Sequence, residues 1–117
     1  MEIKLLNKKI KISNFVVANV FLRLRGLMFR RKENSPIILF NLPRKQSLHS
    51  LFVSFPFLVL WLDQENKVLE YRVISSLKFD ISSKSDFNKI IEIPINKSNY
   101  SLVKSIVGKT FKKKNLF

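Results

Sequence analysis

The segment Leu58-Val59-Leu60-Trp61-Leu62 is apolar at every position. A strand with one wet face alternates apolar and polar side chains, so an unbroken apolar run demands cover on both faces. The wider apolar stretch, Leu51 to Leu62, is interrupted by Ser54 and Pro56. It falls short of the ~17–25 residues that a membrane-spanning helix needs. It therefore reads as a buried strand, and the rest of the chain has to supply its two covers.

Much of that remainder carries the two-residue period of strands. Glu2 to Leu6 and Lys9 to Ile12 read as a hairpin around Asn7-Lys8, with Ile10 and Ile12 alternating with Lys9 and Lys11. Phe15 to Val17 is expected to prolong its second arm. Further strands are expected over Ile37 to Phe40, Ser47 to Val53, Leu58 to Asp63, Val68 to Ile74 and Lys89 to Ile95, with Phe55-Pro56 marking an edge, bulge or bend. In Val68 to Ile74, Leu69, Tyr71 and Val73 face one way and Glu70 and Arg72 the other. Asp63 to Lys67 reads as a hairpin loop, and Ser75 to Asn88 as a long loop or edge excursion.

Two stretches carry helical spacing. Behind Asn19 as N-cap, the apolar positions Val20, Phe21, Leu24, Leu27 and Met28 form one stripe. Arg23 and Arg30 fall together beside it. Ser98 is the expected cap of a short helix through Val107, closed by Gly108. Lys109 to Lys112 reads as a last strand before a basic tail, 112–117.

Composition narrows the chemistry. The 117 residues match the common size of one domain, and eleven Phe with 46% apolar residues supply a core. No cysteine is present, which removes disulfides, thiol nucleophiles and thiolate zinc sites. His49 is the only histidine and Gly26 and Gly108 the only glycines, so imidazole pairs, nucleophile elbows and phosphate-cradling glycine loops are all excluded. Asp63 and Glu65 form an acidic pair, but in a turn, where acids serve the backbone. No catalytic set, metal site or cofactor is expected. Without a signal-peptide pattern at Met1 to Lys9, a cytoplasmic location is expected.

The charge is strong and uneven. Lys and Arg number 22 against 8 Asp and Glu, for a net charge of +14. Residues 1–62 hold eleven basic residues and only Glu2 and Glu33 as acids. Such a field attracts polyanions. Arg23, Arg30, Arg31, Lys32, Arg44 and Lys45 are the candidate phosphate contacts. Phe29 beside Arg30 and Phe111 beside Lys112 are candidates for base stacking.

Three segments in order resemble the domain of unknown function 192 family. They are Arg23-Leu24-Arg25-Gly26-Leu27-Met28-Phe29-Arg30, then His49 to Pro56 running into Val59 to Asp63, then Ile90 to Pro94 with Val107-Gly108-Lys109. The resemblance covers about residues 9–112. It implies an antiparallel β-sandwich or barrel of jelly-roll type with one or two short helices, and it implies no particular activity. Three of the family's acids are replaced: an Asp after the Phe-Pro segment by Leu58, a Glu before the helix Arg by Leu22, and the Asp of a Val-Gly-Asp turn by Lys109.

The expectation is thus a mainly β single domain over 1–117, acting as a non-catalytic binding module for RNA or a ribonucleoprotein. An alternative is a small-ligand or enzymatic pocket around Arg23, Met28 and His49, and a third is association with a membrane surface through the tail. Because only scattered carboxylates remain as strong metal ligands, elemental analysis of the purified protein is expected to find far less than one transition metal per chain; near-stoichiometric metal would refute this.

Overall fold

The computed structural model describes residues 1–18, 31–41, 55–74 and 81–108. These residues form seven strands, a 3-10 turn at Lys32–Asn34 and one helix. The strands are β1 (Glu2–Leu5), β2 (Lys8–Lys11), β3 (Phe15–Val17), β4 (Ile37–Asn41), β5 (Phe57–Leu62), β6 (Val68–Ile74) and β7 (Lys89–Pro94), and the helix is α1 (Tyr100–Val107). Among the described residues strand outweighs helix, 48% to 14% with the 3-10 turn counted as helix. The expected helix after Asn19, the strand over Ser47 to Val53 and the strand over Lys109 to Lys112 lie outside the described residues.

A five-stranded sheet runs in the order β3-β4-β7-β5-β6, and β1 and β2 make a second, two-stranded sheet. Every side chain of β5 is buried, as its unbroken apolar sequence requires. The strand achieves this by pairing antiparallel with β6 on one side and β7 on the other. The two faces then take alternate residues. On one face Leu58, Leu60 and Leu62 join Ile91 and Ile93 under the hairpin's Ile3 and the helix residues Val103 and Ile106. On the other, Phe57, Val59 and Trp61 join Ile38, Phe40 and Ile90, with Phe55, Ile81 and Phe87 packed alongside. The sheet remains open among the described residues. The architecture is a mainly β sandwich rather than a barrel.

Three local expectations are corrected. The first hairpin turns at Leu6-Asn7, not Asn7-Lys8, since Leu5 pairs with Lys8. Leu6 takes a left-handed φ of 54° there. Phe15 to Val17 does not prolong β2. It crosses to the large sheet and pairs parallel with β4, whereas the other described strand pairs are antiparallel. A parallel partner needs a crossover of a dozen or more residues, and the chain between Val17 and Ile37 is long enough to supply one. The helix cap is Asn99 instead of Ser98. Asn96 explains the shift, because its Oδ1 accepts the Asn99 backbone N–H at 2.9 Å and starts the helix one residue later.

Other elements form where their residues dictate. Asp63 Oδ1 accepts the backbone N–H groups of Glu65 and Lys67, both at 2.9 Å, so this acid closes the β5–β6 loop. Gly108 ends α1 at φ 88° and ψ −160°, with its N–H donating to the Lys104 carbonyl at 2.8 Å. That backbone region is essentially restricted to glycine.

A core position and an edge position should differ sharply. Leu60→Ala is expected to cost about 2–5 kcal/mol, whereas Val73→Ala, on the 46%-exposed side chain of β6, should cost under about 1 kcal/mol. Urea denaturation of both variants checks this, and equal losses would contradict the two-sided burial of β5.

Candidate functional site

The described residues offer three polar features: a lysine row, a cluster around Trp61 and Glu92, and a cleft near the start of α1. The row is a product of strand register. Lys4 pairs with Lys9 across the β1–β2 hairpin, and Lys4 also forms a parallel bridge with Lys67. The bridge is secured by the Lys4 N–H donating to the Asn66 carbonyl at 2.9 Å. Laterally paired residues point to the same side, with Cβ atoms about 4.5–5.5 Å apart. Lys9, Lys4 and Lys67 therefore stand side by side, all exposed. Lys11, opposite Glu2, continues the same face. Glu2, opposite Lys11, is the acid that this register brings to the row's face, while Glu70 is paired with Arg72. Leu6, 93% exposed, stands at the hairpin tip.

The second feature lies on the Trp61 face of the large sheet. Arg72 covers the Trp61 ring at 4.6 Å from its centroid, an arrangement that favours a cation over an aromatic face. Its Nε donates to Glu70 Oε2 at 2.8 Å and its Nη2 to the Ser82 carbonyl. Ser83 Oγ donates to Glu70 Oε1 at 2.6 Å. Partial burial acts to raise the Glu70 pKa, but the Ser83 and Arg72 hydrogen bonds and the Arg72 charge outweigh it and hold the carboxyl below its usual range. Arg72 is thus committed to its own neighbours and is a poor phosphate contact.

Glu92 lies at the centre of the same face, opposite Ile38 on β4 and Val59 on β5. It is only 4% exposed. Its Oε1 has no hydrogen-bond partner, nor does the Trp61 indole N–H. Burial without compensation pushes its pKa up to about 8, so at neutral pH it is mostly the uncharged acid. The flanking pattern Ile91-Glu92-Ile93 was the available signal, an acid inside an apolar strand.

The third feature is an open cleft of about 450 Å³ between the β2–β3 loop, the Lys32–Asn34 turn and the loop leading into α1. Its walls include Ser13, Asn14, Phe15, Glu33, Ser98 and Asn99, and no lysine or arginine among the described residues. Buried Asn96 fixes two of these walls together, donating to the Lys32 carbonyl and accepting from the Asn99 N–H, both at 2.9 Å.

Of the sequence-derived site residues, Arg31 is exposed and Lys32 half-buried at the 3-10 turn. Arg23, Arg30, Arg44 and Lys45 lie outside the described residues, as do Met28 and His49 of the alternative pocket and the stacking candidates Phe29 and Phe111. Leu58 sits in the core beside Leu60. No group of three or more potential metal-ligating side chains occurs among the described residues, and none of their helices is long and apolar enough to cross a membrane.

The fold is shared with a crystal structure of a protein of unknown function from Novosphingobium aromaticivorans. The two are 13% identical with a TM-score of 0.58, over 76% of this chain and 69% of the other. No family model matches the chain, and no curated protein matches it.

The buried acid makes a directional prediction about pH. Folded Glu92 keeps its proton up to about pH 8, while the unfolded chain releases it near the ordinary value of 4.5. The folded state therefore binds more protons across that window. Its advantage is complete below the lower value and is lost as pH rises towards the upper one, at about 1.4 kcal/mol per unit. Glu92→Gln cannot ionise, so its stability relative to the parent is expected to rise by roughly 3–4 kcal/mol between about pH 5 and about pH 8. Urea midpoints of both proteins across that range test this; parallel pH profiles would refute the buried, unpartnered acid.

Proposed function

We propose that this chain is a single-domain, non-catalytic binding module for a polyanion, with RNA or a ribonucleoprotein in the cytoplasm as the partner class. We further propose that it is a member of the domain of unknown function 192 family, on the strength of its three motif segments and their order. The observation that carries the binding reading is the Lys9–Lys4–Lys67 row.

Like charges directly opposite one another destabilise a sheet. Strands are about 4.8 Å apart, so three ammonium groups on adjacent strands repel unless an anion lies between them. An extended phosphate backbone supplies that anion repeatedly. Each lysine acts as a flexible point charge that can settle on its own phosphate. Release of condensed counterions then provides most of the driving force. Arg31 and Lys32, with Arg23, Arg30, Arg44 and Lys45, are proposed to extend the contact.

The test compares two sets of charge reversals in salt titrations of RNA binding. Reversing Lys4, Lys9 and Lys67 to Glu is expected to flatten the slope of log K against log salt by about 2, at roughly 0.7 per phosphate on single strands. Reversing Lys84, Lys97 and Lys104, exposed on other elements, should cost much less. Equal losses would mean a diffuse field without a site. No RNA binding by the parent protein at low salt would end the proposal.

A further inference from the structure

We propose that the cleft between the β2–β3 loop and the start of α1 binds a neutral, hydroxyl-rich ligand of the size of a small saccharide or cyclitol. Its volume, about 450 Å³, falls within the ~300–1,000 Å³ range of small-molecule sites. What distinguishes it is the chemistry of its walls in a chain of net charge +14. Among the described residues, Glu33 is the only charged one lining it. At these walls a phosphate would meet the Glu33 carboxylate and no lysine or arginine among the described lining residues.

The polar groups suit hydroxyls instead. A sugar hydroxyl both donates and accepts, and so do the side chains of Ser13, Asn14 and Ser98. The Glu33 carboxylate offers two acceptor oxygens. Asn99 has its Nδ2 committed to the Pro94 carbonyl at 2.9 Å, which leaves its Oδ1 as an acceptor. Phe15 is half-buried at the wall and supplies a flat apolar surface for the C–H face of a ring. The walls are also held in place before any ligand arrives. Asn96 joins the 3-10 turn to the loop before α1, and Ser35 Oγ donates to the Arg31 carbonyl at 2.6 Å within the turn. Such preorganisation lowers the entropy cost of binding.

The experiment is an NMR titration of the full chain with a panel of neutral probes: glucose, galactose, maltose, trehalose and myo-inositol. At least one is expected to give saturable shifts confined to residues around Asn14, Glu33 and Asn99, at an affinity that does not change with salt. Asn14→Ala and Glu33→Gln, both at exposed positions and so harmless to folding, should each weaken that binding by roughly five- to tenfold without weakening RNA binding. The proposal is overturned if no probe shifts these residues. It is equally overturned if the shifts weaken with salt, if both variants bind as the parent does, or if a lysine-rich peptide occupies the cleft while the neutral probes do not.

Discussion

Burial of β5 on both faces is the constraint to which the rest of the structure answers. Its six side chains are large and apolar, so each face must be sealed against water, and its backbone groups must find partners within the sheet. The second demand places β6 and β7 on either side. The first sends Ile3 of the hairpin and Val103 and Ile106 of α1 to one face, and Phe55, Ile81 and Phe87 to the other. β7 inherits the same condition because it lies between β4 and β5. That is why an acid within it, Glu92, ends up dry. Keeping its proton is the least costly state for a carboxyl with no partner in such a place.

The same constraint separates the charges. Strands committed to two dry faces carry few ionisable groups, so the lysines collect on elements with an open side. The β1–β2 hairpin is the clearest case: Ile3 and Ile10 point inward while Lys4, Lys9 and Lys11 point outward. β6 shows a different solution. Its apolar Leu69, Tyr71 and Val73 are its more exposed positions, and Glu70 and Arg72 lie half-buried over Trp61. Arg72 can occupy that site because its apolar stem and planar head cover the ring while Glu70 satisfies its charge. The cleft's described lining residues are acidic or neutral, in contrast to the lysines of the hairpin's outer face.

Four of the large sheet's five described strands were legible along the chain because period and apolar run are local properties. β4, β5, β6 and β7 lie within a residue or so of where the pattern puts them, and Gly108 ends the helix as its freedom at positive φ allows. The misreadings share one cause. Asn7-Lys8 is a reasonable turn by residue type, yet the Leu5–Lys8 pairing moves it back by one. Phe15 to Val17 looks like a continuation of β2, yet it pairs with β4, which is distant along the chain. Ser98 is a good cap by type, yet Asn96 reaches the next N–H. In each case a specific backbone pairing or hydrogen bond outweighed a residue-type preference of a few tenths to about 1 kcal/mol.

By itself the sequence determined that this chain builds a mainly β core, that it can form no disulfide, and that it carries a large positive charge. Those conclusions depend only on which residues are present and on their short-range order. Tertiary structure alone decided that Lys9, Lys4 and Lys67 become neighbours, that Glu92 is buried with its Oε1 unsatisfied, and that Asn14, Glu33 and Asn99 face a common space. Lys4 and Lys67 are far apart along the chain, and strand register brings them side by side. Register and burial are set by the packing of the whole, because one residue's slip would exchange every inward side chain for an outward one.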